Sequence, residues 1–166
     1  MDRWGYFWVM LWMRYRSVAM AAVPVGVLAG VILGVAVYLA GNPEYRAQGG
    51  PTAFWYWAAV GAVLGGGTAL AALAGGALSM LVTDRSTSRV SGARVLAGSV
   101  GAAVGAAVLW LAIGLFTGMA SPAGSSWFGA SVVIALVAAA AAGVLAALML
   151  RRAERSAAGI QAAADH

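Results

Sequence analysis

The sequence predicts an all-α integral membrane protein: a bundle of four transmembrane helices, both termini in the cytoplasm, preceded by an N-terminal interfacial amphipathic helix. Three observations predict it. Hydrophobic residues make up 63% of the 166-residue chain and charged residues only 9%, whereas a soluble domain carries about 25% charged residues. Four long runs contain no Asp, Glu, Lys, Arg or His. The arginines gather in the connections on one side of those runs.

The opening segment, residues 1–17, reads "MDRWGYFWVMLWMRYRS". Its apolar run from Trp4 to Met13 covers about 15 Å as a helix, half of a hydrocarbon core of about 30 Å, so it does not span. Arg14 and Arg16 follow directly, with no small-residue cleavage site before the next apolar run, so it is expected to be retained rather than removed as a signal peptide. On a helical wheel Trp4, Trp8, Leu11, Trp12 and Tyr15 share one stripe, which favours a helix lying at the interface. The stripe serves either as a membrane anchor or as a docking surface for a partner, since tryptophan and methionine are frequent interface anchors. A third arrangement joins the segment to the first span as one long helix, bent at Pro24.

The transmembrane region, residues 18–150, contains spans at about 18–40, 58–82, 95–119 and 128–150. Each reaches about 35 Å at 1.5 Å per residue, enough to cross with some tilt. Arg3, Arg14 and Arg16 precede the first span. Arg85, Arg89 and Arg94 lie between the second and third, and Arg151, Arg152 and Arg155 follow the fourth. Only Arg46 lies in an outer loop, and the loop 120–127 has no charge. The positive-inside rule therefore puts both termini and the tail, residues 151–166, in the cytoplasm. Phe54–Trp57 and Trp127–Phe128 follow the two outer loops, where an aromatic belt belongs. Trp110 sits mid-span and is read as a packing or lipid-contact residue. The excess of Arg, Ala and Gly codons suggests a GC-rich bacterial source and the bacterial inner (cytoplasmic) membrane.

Small residues recur at spacing four. Gly26, Gly30 and Gly34 form a double GxxxG in the first span. Gly61 and Gly65 open a row in the second, beside another at Gly67, Ala71, Gly75 and Ser79. The third span has Gly101 and Gly105, then Gly114 and Gly118; the fourth has Gly143 between Ala139 and Ala147. Such rows let helix backbones approach closely. The triplet Gly65–Gly67 is expected to loosen or kink the second helix.

No motif carries chemistry. There is no cysteine, and the single histidine, His166, ends the sequence. No ionisable group lies within the spans, where proton relays and ion pathways would place one. Thr68, Ser79, Ser99 and Ser131 are expected to bond carbonyls of their own helices. The net charge of +5 is a topological signal, not a nucleic-acid footprint. Arg14, Arg16, Arg85, Arg89, Arg94, Arg151 and Arg152 are expected to meet anionic lipid headgroups. The expected function is that of a non-enzymatic accessory or scaffolding subunit of a larger membrane complex. It would need no cofactor beyond bound phospholipid, and its partners would be other integral membrane subunits. The alternative is a transport component, either a permease-like subunit or a homo-oligomeric pore for a neutral or apolar solute.

Overall fold

The computed structural model describes residues 3–84, 91–120 and 124–164, and all of them are helical except for one two-residue turn and one break. The helices are α1 (Arg3–Ala40), α2 (Pro43–Asp84), α3 (Ser91–Ala120) and α4 (Gly124–Ala164). Each is long and apolar enough to cross a membrane, which makes this a multi-pass membrane protein.

α1 is continuous from Arg3 through Pro24 to Ala40. Of the arrangements open to the N-terminal segment, the backbone takes the single long helix; no turn separates residues 3–17 from the first span. Pro24 removes one backbone donor and crowds the preceding turn, yet all residues around it stay helical. α4 likewise runs through the expected end of its span to Ala164, about four turns further at 3.6 residues per turn.

The connection after α1 is shorter than its turn-rich sequence suggests. The Gly41 amide donates to the Tyr38 carbonyl at 3.3 Å. Asn42 then caps a new helix: its side-chain oxygen accepts the Glu44 amide at 3.0 Å, and its carbonyl accepts the Arg46 amide at 3.2 Å. Pro43 fills the first helical position, where a missing N–H costs nothing. The residues expected to form a loop, 41–52, are therefore mostly helix. The helix breaks once, at Gly50 (φ 53°, ψ −152°), a conformation open essentially to glycine alone, and Pro51 restarts it. Tyr38 bridges the break from α1. Its hydroxyl donates to the Gly50 carbonyl at 3.4 Å, and its ring meets Phe54 edge-on at 5.9 Å. The expected kink at Gly65–Gly67 is not found. That triplet is regular helix, and Gly50 is the sole non-helical position within α2.

The described helices form two compact units, residues 21–70 and residues 1–20 with 71–166. In the first, α1 packs antiparallel on the early part of α2. In the second, the later part of α2 packs on α3, and α3 on α4. The buried hydrophobic residues are Ala58 in the first unit and Ala102, Ala106, Ala135 and Leu150 in the second, with no large side chain fully buried among the described residues. The outward side of α3 is a stripe of branched aliphatics at Leu96, Val100, Val104 and Val108. Large apolar groups face out and small ones face in, the inverse of a soluble fold.

Candidate functional site

The first group of candidate residues lies where α1 meets α2. A Cβ placed on Gly26 would lie 2.8 Å from the Gly65 carbonyl oxygen. One on Gly30 would strike the Gly61 carbonyl and stand 2.9 Å from the Gly65 Cα, and one on Gly34 would strike the Trp57 carbonyl. The approach is reciprocal: a Cβ on Gly61 meets the Gly30 carbonyl, and one on Gly65 meets that of Gly26. Backbone meets backbone along the strip, with the Ala69 methyl joining it at Gly26, 2.6 Å from the Cβ position.

α2 uses its second row for a different neighbour. Gly75 faces the Gly101 carbonyl, with the Gly105 Cα 3.0 Å from its Cβ position. Gly105 faces the Ala71 carbonyl, and Gly101 faces Gly75 and Ser79. Gly75 belongs beside Gly101 and Gly105 among the residues in closest contact; its spacing with Ala71 and Ser79 already carried that signal. Gly143 is looser. Its Cβ position is 3.4 Å from the Ala103 methyl and 3.5 Å from the Ser99 carbonyl, which is ordinary van der Waals contact. Gly114 instead faces Ser131 on α4, whose Oγ lies 2.8 Å from its Cβ position; Ser131 is buried.

Three hydroxyls within the spans turn back on their own helices. Thr68 donates to the Leu64 carbonyl at 2.7 Å, Ser99 to Leu96 at 2.9 Å and Thr117 to Ile113 at 2.9 Å. Each of these bonds is to a carbonyl of the same helix. Trp110 is half-buried.

Of the basic residues, Arg16, Arg151, Arg152 and Arg155 are exposed. Arg94 stands in the first turn of α3 and Arg14 within α1, but their side chains lie outside the described residues, as do those of Trp4, Trp8 and Trp12; Arg85, Arg89 and His166 lie outside them entirely. The backbone places Trp4, Trp8 and Trp12 at successive fourth positions of one continuous helix, hence on one face. On α4 the spacing of Ala147, Arg151 and Arg155 does the same, and all three line a groove of about 530 Å³ against the first turns of α3. Arg155, not among the arginines expected to meet headgroups, lines this groove with Arg151; its fourth-position relation to Arg151 is the signal in the sequence. In the unit formed by residues 21–70, Arg46 is half-buried and its Nε is enclosed without a hydrogen-bond partner among the described residues.

Compared with known protein families, curated proteins and solved structures, the chain finds no match.

Proposed function

We propose that this chain is a non-catalytic accessory or scaffolding subunit of a larger bacterial membrane complex. It sits in the cytoplasmic membrane as a four-helix bundle with both termini in the cytoplasm. The observation that carries this reading is helix length. α1 has 38 residues and α4 has 41, about 57 and 61 Å at 1.5 Å per residue. A hydrocarbon core of about 30 Å needs roughly half of that.

Within α1 and α4 the surplus lies where the arginines are, at the start of α1, with Trp4, Trp8 and Trp12, and at the end of α4, whereas the surplus of α2, 42 residues long, lies at its own start around the break at Gly50. The start of α1 and the end of α4 are cytoplasmic by the positive-inside rule. Three tryptophans on one face of a helix exceed what anchoring a four-span protein requires, and they suit docking to a partner. The glycine faces hold the chain's own helices together, so the outward aliphatic stripes are left to lipid and to neighbouring subunits. The basic rim, from Arg14 and Arg16 to Arg151 and Arg152, meets anionic headgroups, each arginine contributing about 1 kcal/mol near the surface.

Purification in mild detergent tests the reading. Wild-type protein should bring down other integral membrane subunits in fixed stoichiometry. Changing Trp4, Trp8 and Trp12 together to alanine should reduce their recovery severalfold while the variant stays inserted and monodisperse. Full recovery would sink the docking role of the tryptophans. A homo-oligomer without other subunits would favour the transport reading instead. Reporter fusions test the orientation: one after Gly49 should report the outside, and one after Ser156 the inside.

A further inference from the structure

We propose that the groove between the start of α3 and the end of α4 is a site for one anionic phospholipid. This rests on the anionic-lipid reading of the basic rim and turns it from a general rim into a single built place. The groove is formed by two helix faces in matched register. α4 contributes Ala147, Arg151 and Arg155 at spacing four; α3 contributes Gly92, Val95 and Ser99 at spacings of three and four.

The two helices run antiparallel, with Gly143 beside Ser99 and Leu150 beside Gly98. Polarity therefore changes steadily along the groove. Arg151 and Arg155 stand toward the end nearest Gly92, and Val95, Ser99 and Ala147 continue into the span. An amphiphile with a phosphate at one end and an acyl chain at the other has the same gradient.

The chemistry of the lining is consistent with that occupant. Among the described residues no acidic one lines the groove, and guanidinium binds phosphate oxygens in a bidentate fork. The positive end of the α3 dipole adds to the field at the same mouth, since the helix begins at Ser91. The deeper wall makes no polar demand, because the Ser99 hydroxyl already donates to the Leu96 carbonyl. Gly92 has nothing within 4 Å of its Cβ position, which leaves the mouth open. A volume of about 530 Å³ holds a glycerophosphate and the upper part of one acyl chain.

Native mass spectrometry from nanodiscs of equimolar phosphatidylglycerol and phosphatidylcholine tests the proposal on the full chain. Wild-type protein should retain one phosphatidylglycerol more tightly than the rest. Replacing Arg151 and Arg155 with glutamine should weaken that retention about fivefold per arginine, about 25-fold together. A second variant, Ala147→Phe, keeps both charges and fills the apolar wall; it should lose the same lipid. Inorganic phosphate at constant ionic strength should not displace it, and displacement would show an anion site without a lipid. Phosphatidylglycerol preferred by wild type yet retained equally by both variants would overturn the groove and leave the rim standing. No preference in wild type would overturn both.

Discussion

The α1–α2 contact and the α3–α4 contact are built from the same few residue types, yet they work differently. Between α1 and α2, the space a methyl would need at Gly30 is taken by the Gly61 carbonyl, and at Gly65 by that of Gly26, with the Gly30 Cα 2.8 Å away. Between α3 and α4, Gly143 has 3.4 Å to the nearest methyl, and the buried groups are Ala102, Ala106, Ala135, Ser131 and Leu150. The first contact is backbone against backbone and has no slack. The second combines methyl contacts with one close glycine, Gly114 against Ser131, and glycine is incidental at Gly143. In lipid there is no hydrophobic drive to bring helices together, so close packing itself supplies the attraction. A contact without slack should therefore be the more sensitive to one added carbon.

The largest effect should come from Gly30. Leucine there inserts a branched side chain where the Gly61 carbonyl and the Gly65 Cα already stand. Overpacking of this kind typically costs about 1–3 kcal/mol and occasionally more. Gly30→Leu should still insert in the membrane but lose thermal stability in detergent, and Gly30→Ala should show a smaller loss in the same direction. A Tm equal to wild type for Gly30→Leu would show that the two helices separate at no cost, and the distinction between the contacts would fall with it.

Gly50 separates conformational need from steric need. Nothing lies within 4 Å of its Cβ position, so alanine meets no obstacle, but φ of 53° with ψ of −152° is strained for any L side chain. The expected cost of Gly50→Ala is about 1–3 kcal/mol. It should be seen as a lowered Tm and as altered tryptophan emission from Trp55 and Trp57, which lie just past the break. Gly92→Ala is the matched control: its surroundings are equally open and its φ is ordinary, so its Tm should hold. Equal Tm values for the two would show that the break relaxes freely.

The four spans are legible in the sequence because a charge-free run long enough to cross has few other readings, and the pairing potential of the rows is legible in their spacing of four. The helix over the connection after α1 is not, although Asn42, Pro43 and Glu44 are a capping sequence. Turn residues and cap residues are the same residue types, and only the pattern of the next several residues distinguishes a turn from a helix start. The break falls at a different glycine from the expected triplet for a related reason. Gly65–Gly67 are held in regular helix, Gly65 by α1 backbone against it and Gly66 beside the Val27 side chain, while Gly50 precedes a proline and is free to turn. The basic rim can be read from the arginines alone. The groove cannot, because it requires knowing that the start of α3 lies beside the end of α4.

The smallest expected effect is at Gly143, and it is also the sharpest test of the comparison. Its position in α4 is helical, and alanine is favoured over glycine in a helix interior by about 0.8–1.0 kcal/mol. The added methyl would stand 3.4 Å from the Ala103 Cβ and 3.5 Å from the Ser99 carbonyl oxygen, close enough to gain dispersion contact without displacing backbone. Gly143→Ala should therefore leave the Tm unchanged or raise it slightly, whereas Gly30→Ala lowers it. Because the two contacts lie in separate compact units and share no partner, the double variant should show the sum of the single effects. A loss at Gly143 as large as that at Gly30 would mean that α3 and α4 depend on glycine there as well as at Gly114, where Ser131 already stands against the Cβ position. The two contacts would then be one kind.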